Sequence, residues 1–311
     1  LSLPGPNVPL VSVVVPAWCA EASIVGCLES LSRQEGAPPF EVVVVDSSPD
    51  DATGRAVAPF MRDRGGRLDL HYLHLKDRAF PGTARNRGVA LARSSSLLFL
   101  DADIRAAPDL LCRAGEALSG GEAVVGGRID PGAERAVSAR LRHIFEFKES
   151  MAGVPARPTW QLPTACLAVP RAIFTQAGGF PDLRASEDWL FNWRLWQSGT
   201  PMRFDPALRI VHETRAGWAE FLSYAGVLGH ASGVVRRQAG LPGQAVVRWP
   251  VLAWGLPFAR TLRALGWCAR YARRDFLLLL WSWPAYLTVA FVWAAAFRRG
   301  VRDLPATRPE S

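Results

Sequence analysis

Along the first hundred residues, short β-branched runs alternate with segments of helical spacing. Val11-Ser-Val-Val-Val15, closed by Pro16, has the nearly unbroken apolar pattern of a strand buried on both faces. Ile24, Leu28 and Leu31 then recur at helical spacing across residues 21–32. Phe40-Glu-Val-Val-Val-Val45 is a second buried strand and stops at Asp46. The turn-rich Ser47-Ser-Pro-Asp-Asp-Ala-Thr53 leads into another helix. Residues 70–75 form a weaker strand. Residues 83–93 read as a helix with a small-residue face (Ala84, Gly88, Ala92), suited to lying close on a sheet. Ser96-Leu-Leu-Phe-Leu100 is a third buried strand, followed at once by Asp101. Such alternation predicts an α/β domain with a mostly parallel sheet and helices on both faces. Ligands of such sheets bind at the carboxyl ends of the strands.

From 106 to 211 the pattern is less regular. Ala123-Val-Val-Gly-Gly127 predicts a strand ending in glycines, and residues 135–149 a helix. Residues 162–170 are an apolar stretch before the turn Ala177-Gly-Gly-Phe-Pro-Asp182. Residues 186–197 predict a helix with Ser186 as N-cap and Gly199 beyond its end. Trp189, Trp193 and Trp196 share one face of that helix. Core packing is the simpler reading of this stripe, and a stacking platform for a bound ligand the sharper one.

Charge divides the chain. Residues 1–211 hold 23 basic and 23 acidic residues, whereas residues 212–311 hold 13 and 5 and so carry the whole net charge of +8. A nucleic-acid binder should spread its basic residues over the folded domain, so that class is disfavoured and no nucleic-acid partner is expected. Residues 276–297 contain no charge and would span about 33 Å as a helix, close to the ~30 Å of a bilayer core. Pro284 is placed to kink it. Arg270, Arg273 and Arg274 precede it, and Arg298, Arg299 and Arg302 follow, so the positive-inside rule selects no orientation. Three readings of the tail stand: a single span or re-entrant hairpin, which is preferred, a surface-lying anchor, and a soluble helical cap. Residues 246–258, apolar but interrupted by Arg248, predict an interfacial helix.

The chemistry sits at the predicted strand ends. Asp101-Ala-Asp103 places two carboxylates after a buried strand, where they can hold a hard divalent cation (Mn2+ or Mg2+) that also grips a diphosphate. Asp46 ends another strand, where it could accept from a base N–H or ribose hydroxyl, or simply close an Asx turn. Ala17-Trp-Cys-Ala after the first strand lacks the G-x-G-x-x-G of a dinucleotide site, and neither Lys76 nor Lys148 belongs to a GxxxxGK[ST] loop. The five cysteines (Cys19, Cys27, Cys112, Cys166, Cys268) form no CxxC, which argues against a disulfide framework or zinc knuckle and suits a reducing compartment. Residues 1–9 are Pro-rich without an apolar core segment and read as a disordered arm rather than a signal peptide.

The ordered set of segments resembles family 2 glycosyltransferases, which have the GT-A fold, over residues 10–235. Ser12-Val-Val-Val-Pro-Ala resembles the opening strand, Glu41 to Thr53 the second strand and its Asp/Ser/Thr loop, and Gly82-Thr-Ala-Arg-Asn-Arg-Gly88 the G-x-A-x-A-R-N-x-G helix start. Phe99-Leu-Asp-Ala-Asp103 resembles the metal site, and Gly178-Gly-Phe-Pro-Asp182 with Ser186-Glu-Asp188 the acceptor-side ED motif.

The resemblance implies a GT-A mixed sheet flanked by helices, and a role at each matching position. Asp46 would contact the nucleotide base beside Pro16 and Ala17, and Arg85 would help hold the nucleotide. Asp101 would face ribose and metal, while Asp103 and His212, in Val-His-Glu-Thr-Arg215, would bind the metal. Asp188 would be the general base, with Glu187 as the competing candidate. Where the family often has an Asn after the first strand, this chain has the segment around Cys19. It also lacks the Q-x-x-R-W of processive synthases, so one sugar per encounter is expected.

The implied activity is inverting, metal-dependent transfer from a nucleotide-sugar donor to a glycan or lipid-linked acceptor in envelope-glycan biosynthesis. The enzyme would sit at the cell membrane with its catalytic domain on the cytoplasmic side, and membrane lipids would be partners. The expected division is an arm (1–9), a GT-A domain (10–215), basic amphipathic or interfacial helices (216–275), a transmembrane or re-entrant helix (276–297) and a basic tail (298–311). Two other classes compete. A non-catalytic adaptor would be free to lose Asp103 or Asp188, and both are present. A sugar-phosphate nucleotidyltransferase would want a glycine-rich basic loop where Ala17-Trp-Cys-Ala-Glu21 stands.

Overall fold

The computed structural model describes residues 9–62, 68–214 and 217–303. Most of the expected N-terminal arm, Arg215, and the tail beyond Asp303 lie outside the described residues. The described residues fall into two compact units, one drawn from the ranges 9–133, 150–183 and 187–213 and the other from 134–149, 184–186 and 214–303.

The first unit opens with β1 (Val11–Ala17), α1 (Ile24–Ser32), β2 (Phe40–Asp46), α2 (Ala52–Arg62), β3 (Asp69–His74), α3 (Pro81–Leu91) and β4 (Ser96–Leu100). It continues through β5 (Ile104–Ala106), α4 (Leu110–Ser119) and β6 (Val124–Pro131). α5 (Val137–Phe147) belongs to the second unit. β7 (Arg157–Pro158), β8 (Cys166–Pro170), α6 (Arg171–Gln176), α7 (Glu187–Gln197) and β9 (Met202–His212) complete the first.

The strands form one sheet in the order β3-β2-β1-β4-β8-β6-β9-β5, with β7 beside β9. β3, β2, β1 and β4 are mutually parallel, as the alternation predicts. The other half is mixed: β8 runs antiparallel to β4 and β6, and β9 is parallel to β6 but antiparallel to β5 and β7. The sheet is therefore mixed, as in a GT-A fold. The parallel pattern ends where the regular strand–helix spacing ends.

Val13, Val14 and Val15, Val42 to Val45 and Leu97 to Leu100 are fully buried, each side chain contributing roughly 1.5–3 kcal/mol. Gly88 lets α3 settle on them, because a Cβ there would run into Val14. Cys19 has φ +47°, in the left-handed region that Asn adopts more readily than most residues. That is the segment where the family often has Asn. Ser186 also departs from expectation: its φ of +65° is not the extended backbone of an N-cap.

The second unit is helical: α5, α8 (Trp218–Ala239), α9 (Gln244–Arg248), α10 (Leu256–Tyr271) and α11 (Arg273–Arg302). The expected interfacial helix at 246–258 is instead three pieces: the end of α9, a 3-10 turn at Pro250–Gly255 and the start of α10. Pro250 explains the first break, since it has no N–H to donate and holds the preceding residue out of helical geometry.

α8 and α11 meet backbone to backbone. A Cβ at Gly229 or Gly233 would collide with the Trp293 or Phe297 carbonyl, and one at Gly300 with that of His230. α11 is bent at Ser282 (φ −105°, ψ 16°), within the turn whose closing hydrogen bond, from residue 284 back to the Leu280 carbonyl, Pro284 cannot donate. Among the described residues α11 is the one helix long and apolar enough to cross a membrane.

Candidate active site

The carboxyl ends of the four parallel strands share one edge, and the predicted site residues gather there. Asp46 closes β2 but is fully buried. Its Oδ1 accepts from the Ser48 N–H (2.9 Å) and Ser48 hydroxyl (2.5 Å), and its Oδ2 from the Tyr72 hydroxyl (2.7 Å). Burial, and next the Asp46 carboxylate, push the Tyr72 pKa up, so Tyr72 remains a donor. Of the two roles expected for Asp46, contact with a base or closure of an Asx turn, these bonds match the second. The carboxylate forms an Asx turn and braces the loop from within. Ser48 and Thr53 also take the backbone N–H groups of Cys19 (2.7 Å) and Ala20 (3.1 Å), stitching the loop after β1 to the loop after β2. Pro16 and Ala17 lie in register with Val45 and Asp46 at this edge.

Arg85, on α3, meets two carboxylates of its own chain. Its side chain is 4% exposed and joins Asp101 (Nη2–Oδ1 2.6 Å) to Glu187 (Nη1–Oε1 2.8 Å). Burial alone would lower the guanidinium pKa, and the charges of Asp101 and Glu187 reverse that effect and raise it. Arg85 is thus a buried tie between the DxD turn and the first turn of α7. Glu187, 9% exposed and held by that guanidinium, is poorly placed to collect a proton from a substrate.

Asp103 and His212 meet because the short β5 pairs with the end of β9, setting Ile104 opposite His212 and sending the Glu213 N–H to the Asp103 carbonyl (2.8 Å). His212 Nε2 lies 3.4 Å from Asp103 Oδ1. Ligand atoms of Asp101, Asp103 and His212 all fall within 4.8 Å of one another. Two carboxylates and an imidazole are donors that suit a hard or borderline divalent ion such as Mn2+. The surroundings fit a cation as well. The Cys27 thiol, 3.7 Å from the Asp101 carbonyl, has its pKa raised by burial and then by the charges of Asp103 and Asp101. Burial holds Cys166 at about 12, with Asp101 adding to it against a Gly127 hydrogen bond. A second acidic set, Glu41, Asp69 and His71, lies at the other end of the strands and is tied to Arg93 and Ser12.

Asp188 stands in the first turn of α7, half-buried, with its Oδ1 accepting from the Trp189 N–H (2.8 Å). The positive end of the helix favours a carboxylate there. The tryptophan stripe does not pack the core. Leu190, Phe191 and Leu195 do, whereas Trp189 and Trp193 are half-buried against Trp160 (5.4 Å each) and Trp196 is exposed. Trp160, Tyr72 and Ser48 were not singled out from sequence. Trp160 sits in an irregular stretch that no periodicity marks.

A family model described as glycosyl transferase family 2 matches residues 12–175. A validoxylamine A glucosyltransferase of Streptomyces hygroscopicus subsp. limoneus is 38% identical over 104 residues, 33% of this chain and 22% of that protein. The succinoglycan biosynthesis protein ExoO of Rhizobium meliloti is 38% identical over 107 residues, 34% of this chain and 29% of that protein. The chain thus covers less than a third of either relative. Among solved structures, the mannosyltransferase PcManGT of Pyrobaculum calidifontis, in complex with GDP-Man and Mn2+, superposes with a TM-score of 0.62 at 20% identity, covering 93% of this chain and 87% of that one. TarS 1–349 of S. aureus, in complex with UDP-GlcNAc, gives 0.51 at 18% identity, covering 93% and 92%. These structures share the fold. With the family match covering more than half of the chain, and with its motifs meeting at one sheet edge, the protein belongs to glycosyl transferase family 2.

Proposed function

We propose that the protein transfers one sugar per encounter from a nucleotide-sugar donor to a hydroxyl of a glycan or lipid-linked acceptor at a membrane, with inversion. The observation that carries this reading is the separation of two acidic groups at one sheet edge. Asp101, Asp103 and His212 form a cation-fitting cluster, and Asp188 heads a separate helix. Asp188 accepts the proton of the acceptor hydroxyl as its oxygen attacks the anomeric carbon, and a single displacement inverts that centre. A divalent cation held by Asp101, Asp103 and His212 would balance the negative charge of the departing diphosphate. Arg85 keeps Asp101 and Glu187 paired, so that neither carboxylate competes for the acceptor proton. Pro16 and Ala17 offer backbone beside the base. GDP-Man and UDP-GlcNAc in the two structural neighbours support a nucleotide-sugar donor.

A panel of nucleotide sugars, assayed for hydrolysis and transfer with and without manganese, tests the proposal. Turnover of at least one donor that a chelator abolishes is expected. Turnover of none, together with no metal-dependent nucleotide binding, would leave the chain a family member without the chemistry.

A further inference from the structure

The helical unit exposes large apolar side chains in unusual number. On α11, Leu277, Leu280 and Trp281 share a face and are 64%, 51% and 85% exposed. The 3-10 turn adds Val251 and Leu252, and α10 adds Leu262 at 68%. The other side of α11 is covered within its own unit, where Tyr286, Val289, Ala290, Ala294 and Phe297 are buried. The helix is therefore one-sided, with apolar side chains facing outward on one face and a packed protein core behind the other.

Its charges are arranged for a single surface. Arg270, Arg273 and Arg274 at one end and Arg299 and Arg302 at the other are exposed. A helix that crosses a bilayer sends its two ends to opposite faces. One that lies in the interface presents both ends to the same anionic headgroups, and cations at both ends match that geometry. The neighbours of α11 point the same way. Arg260 stacks on Trp293 within the uncharged stretch (4.5 Å), and Arg263, 52% exposed, pairs with Glu149 (2.9 Å). If α11 crossed, these charges would travel with it into hydrocarbon.

We propose that the helical unit docks on one leaflet of an anionic membrane. α11 lies along the interface, Leu277, Leu280 and Trp281 enter the acyl boundary, and the arginines at both ends hold phosphate-bearing headgroups. This deepens the membrane part of the proposed function and rests on it, while standing apart from the sugar-transfer part.

The test uses the full chain added to sealed vesicles of phosphatidylcholine with or without phosphatidylglycerol. Binding should be at least about tenfold tighter with the anionic lipid and weaken with salt, and Leu277→Glu/Trp281→Glu should lose about tenfold or more. Arg273→Gln/Arg274→Gln should lessen the anionic preference. Both pairs should keep metal-dependent nucleotide binding, which reports a folded sheet unit. With the accessible native thiols removed by Cys19→Ser and Cys112→Ser, cysteines placed singly by Arg274→Cys and Arg299→Cys should both react with an impermeant maleimide from outside the vesicles. Protection of one end until detergent is added would overturn the in-plane arrangement and establish a crossing. Failure to bind any vesicle would overturn the docking and the membrane reading together, as would a dimer in lipid-free solution that Leu277→Glu/Trp281→Glu dissociates. Vesicle binding by a chain that turns over no donor would leave the docking standing and defeat only the sugar-transfer reading.

Discussion

Arginine serves the two units differently. In the sheet unit Arg85 meets two carboxylates, Asp101 and Glu187, and Arg93 likewise meets Glu41 and Asp69. In the helical unit Arg260 stacks on Phe145 (4.1 Å) and Trp293 (4.5 Å), Arg142 on Tyr224 (4.2 Å) and Arg298 on Trp254 (4.8 Å). Arg140, bidentate to Asp275, is an ion pair there. The contrast follows from supply. The ranges of the sheet unit hold 18 basic and 21 acidic residues, whereas those of the helical unit, taken on to residue 311, hold 18 basic and only 7 acidic. Where carboxylates abound, guanidinium groups become fixed ties between pairs of them. Where they are scarce, aromatic faces hold the guanidinium planes.

The largest effects should come from the two acidic groups of the sheet unit to which the proposed function assigns the chemistry. Asp188→Asn removes the proposed proton acceptor and should lower kcat by about 10²–10⁴-fold. Asp103→Ala should abolish metal-dependent transfer. Both should keep the wild-type circular dichroism spectrum, and near-native turnover in either would sink the assignment. Arg85→Met comes next. It leaves the buried Glu187 charge uncompensated and should destabilise the fold by about 3–5 kcal/mol in urea unfolding. Arg260→Met is the counterpart in the helical unit. Burial already lowers the pKa of that guanidinium, so an apolar chain of similar shape should change stability by no more than about 1 kcal/mol. Equal losses in the two variants would break the comparison.

The smallest effect concerns Lys148, whose pKa burial, and then the charge of Arg260, bring from 10.5 down to about 8, against a partial opposing pull from Glu149. Between those values the unfolded chain holds a proton that the folded chain has released. This lysine's contribution to stability therefore rises with pH through the window and is least favourable below about pH 8. Lys148→Met should flatten that rise, as urea midpoints measured across the window would show.

Reading the chain alone located much of this. The valine runs of β1 and β2, and the apolar run before Asp101, are buried on both faces, so composition alone marks them, and their ends mark the site edge. The family resemblance alone pairs Asp103 with His212. What joins them is the β5–β9 ladder, whose three-residue strand carries too little pattern to predict. The motif marks Arg85, but a helix start does not say which carboxylates will be folded against it. The Asx turn at Asp46 is legible locally, whereas Tyr72 lies 26 residues on and nothing local announces its hydroxyl. Distance in sequence hides both sets of partners. The antiparallel return of β8 was hidden too, since strand direction is set by the connection and not by the strand's own residues.

Cys27 lies beneath the Asp101 carbonyl, fully buried, its thiol held well above the range in which it would ionise in neutral water. Such a sulfur is invisible to alkylating reagents while the sheet stays closed. Cys19, on the half-exposed loop after β1, has no such cover. The protein therefore carries its own clock. The rate at which Cys27 is alkylated, set against that of Cys19, times the opening of the floor on which the DxD turn rests.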